Sequence, residues 1–115
     1  MFIAGGTGFA PIKALIEQQI QLNNKRKMEL YWGVASAEDV YETDVLLHWK
    51  NLASNFKCTV AIDHGDLTTL PKGIAAFSGR LADVISTQSQ GFKEADAYVA
   101  GPPVMMPGIM QILYG

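Results

Sequence analysis

The chain begins with a buried-looking strand that turns through glycines straight into a helix. Met1–Ala4 are apolar, Gly5-Gly6-Thr7-Gly8 follow at once, and Pro11 stands where a helix starts. Proline fits the first helical position, because its missing N–H would have no partner there. Ile12, Leu15, Ile16 and Ile20 then recur at helical spacing, and Asn23-Asn24 ends the pattern. A strand followed immediately by a helix is the first half of a crossover, and crossovers build parallel sheets.

The rest of the chain repeats that unit. Met28–Trp32 alternates apolar and polar residues and reads as a second strand, closed by Gly33. Ser36-Ala37-Glu38-Asp39 offers a capping serine with an acid three residues on, which predicts a short helical turn. A longer helix is expected from Thr43, with Val45, Trp49, Leu52 and Phe56 as its buried stripe. Cys58–Ile62 is β-branched and apolar, a third strand, and Asp63–Gly79 reads as a long functional loop. Leu81, Val84 and Ile85 mark another helix. Asp96–Gly101 is a fourth strand, and Pro102-Pro103 opens a last helix with Met105, Ile109 and Ile112 on one face. The order β-α-β-α-β-α-β-α predicts a doubly wound parallel sheet, a three-layer αβα domain of the α/β class.

At 115 residues the chain has room for one domain with a real core. A net charge of −2, with its nine basic residues scattered apart from Lys25-Arg26-Lys27, argues against a nucleic-acid surface. No apolar run approaches the roughly 18 residues of a membrane span, and the start does not read as a signal peptide. Cys58 is the single cysteine, so neither an internal disulfide nor a cysteine-rich metal site can form. That suits a reducing cytoplasm.

In a sheet of this kind ligands bind beyond the C-terminal ends of the strands, where strand order reverses. Gly5–Pro11 falls there. Gly6 and Gly8 carry no side chain to keep a diphosphate from the backbone, and the positive end of the following helix attracts an anion. The competing reading is a tight strand-to-helix turn that needs positive φ. The usual dinucleotide fingerprint would have a third glycine at position 11, where Pro11 stands, and an acid closing the second strand, where Gly33 and Val34 stand. No Lys-Ser or Lys-Thr follows the glycines, so this is not a triphosphate loop. A second turn, Tyr98-Val99-Ala100-Gly101-Pro102-Pro103-Val104-Met105, ends another strand in Gly-Pro-Pro. It reads either as a rigid loop or as the second wall of a shared crevice.

Taken together, G-G-T-G-F-A-P at Gly5–Pro11, L-Y-W-G at Leu30–Gly33 with E-D-V-Y at Glu38–Tyr41, and A-G-P-P-V-M at Ala100–Met105 resemble the nicotinamide-binding domain of the ferredoxin–NADP reductase superfamily. The likeness is to its bacterial flavin-reductase and oxygenase-reductase branch, including the reductase of deoxysugar synthesis. The resemblance implies a flavoprotein in which an N-terminal barrel holds FAD or FMN and this domain brings NADH or NADPH to it. Electrons then leave for a ferredoxin-like iron–sulfur protein, an oxygenase or haem partner, or free flavin. By the same resemblance Gly6, Thr7 and Gly8 line the diphosphate and nicotinamide ribose, next to Pro11. Gly101, Pro102, Pro103 and Met105 border the nicotinamide, and Asp63 and His64 meet the adenosine ribose. An acid at Asp63 repels a 2′-phosphate and accepts from a 2′-hydroxyl, which favours NADH; a solvated strand end is the other reading. Many relatives have cysteine where this chain has Ala100, and arginine where it has Ala35. The resemblance further implies that residues 1–115 are one NAD(P)-binding domain without its flavin barrel and last strand. Little turnover by this chain alone, and self-association through the surface that would meet the barrel, are then expected.

Other single residues weigh less. His48 reads as a surface histidine, His64 as a loop histidine or a ligand contact, and Cys58 as a small core residue. Trp32 reads as core rather than a cofactor stack. Arg80 either meets a phosphate across the crevice or begins a helix in solvent. No histidine–carboxylate cluster suggests a metal.

Overall fold

The computed structural model describes residues 2–22, 28–36, 40, 43–52, 55–64, 74–88, 98–101 and 107–109. They form strands β1 (Phe2–Gly5), β2 (Met28–Ser36), β3 (Phe56–His64), β4 (Ala75–Ser78) and β5 (Tyr98–Ala100), with helices α1 (Phe9–Gln21), α2 (Thr43–Leu52) and α3 (Leu81–Gln88). All the pairings are parallel, in the order β4-β3-β2-β1-β5. The chain winds outward from β1 to β4 and then returns to the other side of β1.

Strand parity explains the layers. Successive side chains of a strand point to opposite faces. Phe2, Ala4, Leu30, Trp32, Val34, Cys58, Val60 and Ile62 pack with Phe9, Ile12 and Ile16 of α1 and Leu46 and Trp49 of α2. Ile3, Tyr31 and Ala61 face the other way, onto Leu81, Val84 and Ile85 of α3 and onto Ile109. β1 is buried on both faces, as a central parallel strand must be.

Aromatic rings tie the first layer together. Phe9 lies flat on Trp32 with ring centroids 4.3 Å apart, and sits 6.1 Å from Trp49. Trp49 in turn meets Phe56 edge-on at 5.7 Å. This set joins α1, β2, α2 and β3, and each such contact contributes roughly 0.5–1.5 kcal/mol beyond its area. On the far side of β1, Phe2 stacks on its register partner Tyr98 at 5.4 Å.

Several sequence-based expectations need correction. Gly33 does not close β2, which runs on to Ser36. Gly33 pairs with Ala61, and a Cβ there would stand 2.7 Å from the Cβ of Leu81, so the glycine admits α3 instead of breaking the strand. Ser36 is therefore a strand residue, and the helical turn expected at 37–39 lies outside the described residues. β3 begins at Phe56, earlier than read, and extends through Asp63 and His64.

The expected loop 63–79 contains β4, so the sheet has one more strand than the sequence suggested. Ala75–Ser78 is short and half-exposed at the sheet edge, and pairing with β3 is what makes it a strand. In α2 the buried residues are Leu46 and Trp49; Leu52 is exposed and Phe56 belongs to β3. α1 begins at Phe9, because the 3-10 turn Gly6–Gly8 runs directly into it, and Pro11 is its third residue. That position is still in the first turn, where no N–H is needed. The break expected at Asn23-Asn24 lies outside the described residues, and of the last helix only 107–109 are described, in helical conformation.

One backbone contact fixes β1 against β5. A Cβ on Gly8 would collide with the Ala100 carbonyl oxygen and stand 2.6 Å from its carbon and 2.9 Å from the Gly101 nitrogen. Main chain cannot move aside as a side-chain tip can. Gly8→Ala is therefore expected to destabilise the chain by about 3 kcal/mol, the upper range for overpacking. The shift of the urea unfolding midpoint measures it.

Cys58 carries a pH signature. Burial pushes its thiol up from 9.0 to about 12, with Lys50 pulling weakly the other way. The unfolded chain gives up this proton near its ordinary pKa, whereas the folded chain holds it. Stability is thus unaffected below about pH 9 and falls above it, by up to roughly 1.4 kcal/mol per pH unit. Urea titrations between about pH 8 and pH 11 should show this slope in the wild type and its loss in Cys58→Ala.

Candidate functional site

A crevice of about 450 Å³ opens at the C-terminal ends of β1, β2 and β3, within the range of small-molecule sites. Gly5 and Gly6 form one wall, Gly33, Val34 and Ala35 of β2 and Ala61 and Asp63 of β3 the floor. Gly79 and Arg80, the first turn of α3, and Gly108 and Ile109 close the opposite side. The lining is mainly apolar or glycine, and Asp63 and Arg80, both exposed, bring opposite charges to it.

Gly6 is the turning point. Its φ is +54°, a torsion that suits glycine, and among the described residues, its chain neighbours aside, no atom lies within 4 Å of where a Cβ would stand. Its carbonyl accepts a hydrogen bond of 3.0 Å from Nε1 of Trp32. Gly8 is the N-cap of α1 and, as a glycine, brings no side-chain cap to it, and the helix's first turn holds no acid. The positive end of α1 thus keeps its electrostatic character. On the opposite wall Gly79 donates its N–H to the Ile62 carbonyl at 3.0 Å, which anchors the turn carrying Arg80 to β3.

The structure brings some of the expected site residues together. Gly6 and Asp63 line the crevice. Thr7 lies in the 3-10 turn, and Gly8 interlocks with Ala100 and Gly101. Gly8 therefore serves the joint between the two glycine turns. Pro11 is exposed on α1, and His64 ends β3 in register with Ser36. Gly101 follows β5 directly, whereas Pro102, Pro103 and Met105 lie outside the described residues. Sequence reading did not find Gly33, Ala35, Ala61 and Gly79 as crevice residues. Their signal was small size at strand and turn ends, which becomes meaningful only when the strands are aligned. Trp32 is core as expected, and it also touches the turn.

Among the described residues, no three His, Cys, Asp or Glu side chains come together to hold a metal ion, and no helix is long and apolar enough to cross a membrane.

The model of the oxidoreductase NAD-binding domain family matches residues 2–111. The chain is 26% identical over 114 residues to the reductase component of propane 2-monooxygenase from Rhodococcus jostii (strain RHA1), covering 98% of this chain and 30% of that protein. It is 34% identical over 68 residues to the CDP-6-deoxy-L-threo-D-glycero-4-hexulose-3-dehydrase reductase of Yersinia pestis, covering 59% of this chain and 20% of that one. The chain thus spans a third or less of the length of these relatives. Among solved structures, the ferredoxin reductase in carbazole 1,9a-dioxygenase superposes with a TM-score of 0.70 at 21% identity, over 97% of this chain and 32% of that one. The same fold recurs in the cytochrome b5 reductase domain of Ulva prolifera nitrate reductase, with a TM-score of 0.70 at 16% identity, over 99% of this chain and 44% of that one. A match across almost every residue, on a sheet whose fold recurs in both of those reductase structures, assigns the chain to the oxidoreductase NAD-binding domain family.

Proposed function

We propose that the chain is the dinucleotide-holding part of a flavin-dependent reductase. It presents NADH to FAD or FMN on a separate barrel domain, and the electrons pass on to a ferredoxin-like iron–sulfur protein, an oxygenase component or free flavin. The observation that carries this reading is the crevice beside Gly6, where a left-handed glycine, clear of every described residue beyond its chain neighbours, meets the positive end of α1. The relatives support it by name: they are reductase components of a propane 2-monooxygenase and, in Comamonas, of a terephthalate 1,2-dioxygenase. The bound cofactors supply the hydride and electron chemistry, and the protein aligns them.

In this reading the backbone of Gly6, Thr7 and Gly8 holds the diphosphate, with Pro11 stiffening the helix start behind it. Gly101, Pro102, Pro103 and Met105 border the nicotinamide. Asp63 and His64 meet the adenosine ribose. The Asp63 carboxylate accepts from a 2′-hydroxyl and repels a 2′-phosphate, which favours NADH. Arg80, across the crevice, attracts the phosphates that both dinucleotides share, so it adds affinity and little discrimination. In this reading the hydride needs a flavin to receive it, and so turnover without added flavin or a flavin-holding partner is small.

Calorimetric titration of the full chain is expected to show NADH binding more tightly than NADPH. Flat traces for NADH, NADPH and AMP alike would overturn the proposal. Asp63→Asn should raise NADPH affinity about fivefold and change NADH affinity little, since one charge contact near solvent is worth roughly 1 kcal/mol. Gly6→Val should weaken both dinucleotides more than tenfold, because a branched side chain strains the left-handed torsion and projects into the crevice. NADH consumption with added FMN, fast enough to match a complete reductase, would show that the chain needs no partner domain.

A further inference from the structure

We propose that Trp32 is a positioning residue for the dinucleotide, acting through the Gly6–Thr7 peptide; this rests on the nucleotide reading given above. Its indole N–H donates to the Gly6 carbonyl at 3.0 Å across 26 residues of sequence. The ring is fully buried and lies flat on Phe9, the first residue of α1, with an interplanar angle of 12°. One side chain of β2 therefore grips both ends of the glycine turn, its carbonyl by a hydrogen bond and its helical exit by a stack.

The consequence follows from peptide geometry. A trans peptide is planar, and its C=O and N–H point in opposite directions. Pinning the Gly6 carbonyl toward Trp32 aims the Thr7 N–H away from it. Trp32 packs on the α1 and α2 face of the sheet, whereas the crevice lies at the strand ends on the α3 side. Glycine at Gly6 has several torsional wells of similar energy, and among the described residues beyond Gly5 and Thr7 none lies within 4 Å of where its Cβ would stand. The restraint thus comes from the core side. A turn already held in one orientation spares the ligand the cost of ordering it. A buried phenylalanine or leucine could fill much of the same space, but neither offers a donor to the carbonyl.

The test separates the donor from the ring. Trp32→Phe keeps an aromatic stack. Replacement of Trp32 by benzothienylalanine keeps the outline of the indole and exchanges only the N–H for sulfur. Trp49→Phe perturbs the same aromatic set at a position that meets Phe9 and Phe56. Each full-chain variant is titrated with NADH, and amide hydrogen exchange is followed by NMR. Both Trp32 variants are expected to weaken NADH about tenfold, equivalent to 1.4 kcal/mol. They should also lessen the slowing of exchange that bound NADH causes at Thr7 and Gly8, while leaving exchange at Phe2–Ala4 unchanged. Trp49→Phe should lower thermal stability and leave NADH affinity within about twofold, a difference worth less than half of that tenfold step. A benzothienylalanine variant that binds NADH like the wild type, with unchanged exchange in the turn, overturns the assignment of Trp32 alone. A wild-type chain that gives no heat with NADH overturns the nucleotide reading and this inference with it.

Discussion

Main chain meets main chain where α1 leaves β1, and the site depends on that contact. Gly8 lies so close to the Ala100 carbonyl and the Gly101 nitrogen that no side chain fits between them. The contact holds the exits of β1 and β5 side by side. From there the chain diverges: α1 covers one face of the sheet, while Ile109, beyond β5, packs with α3 on the other. The crevice opens beside that joint, where Gly5 and Gly6 meet the ends of β2 and β3, the start of α3, and Ile109.

The two faces of the sheet are built from residues of different size. Toward α1 and α2 the strand ends carry Trp32, Val34 and Ile62, backed by the aromatic set of Phe9, Trp49 and Phe56. Toward α3 they carry Gly33, Ala35 and Ala61. Because side chains alternate, Trp32 is followed by Gly33, Val34 by Ala35 and Val60 by Ala61, a large residue on the first face and then a small one on the second. The first face becomes a rigid base that fixes the turn through the Trp32–Gly6 hydrogen bond. The second keeps the space that the crevice occupies. Rigidity and vacancy thus come from the same two strands, β2 and β3, one residue out of phase.

The alternating apolar and helical segments revealed the βα order, and the glycine cluster marked the turn that ends β1. Both rest on local signals, the period of burial and the absence of side chains, and both match the structure in type if not in every boundary. The misreadings share a cause. Gly33 looked like a stop because glycine usually ends strands, yet here it makes room for Leu81. Ala75–Ser78 looked like loop because a short, half-exposed edge strand has no pattern of its own until β3 pairs with it. Asp63 and His64 were placed in a loop because β3 extends past its apolar stretch, carried on by its ladder with β2. In each case a partner distant in sequence outweighed local preference.

By itself, then, the sequence determined the parallel α/β class, the family likeness and the position of the glycine turn, since these depend on the order of residue types along the chain. Tertiary structure alone decided which glycines face the crevice and which serve packing. Gly6 lines the crevice, while Gly8 and Gly33 admit the Ala100–Gly101 backbone and Leu81. It also decided that Asp63 and Arg80 share one crevice and that a core tryptophan reaches the turn. The physical reason is that steric room and hydrogen-bond reach are properties of pairs, and the second member of each pair comes from another strand or helix.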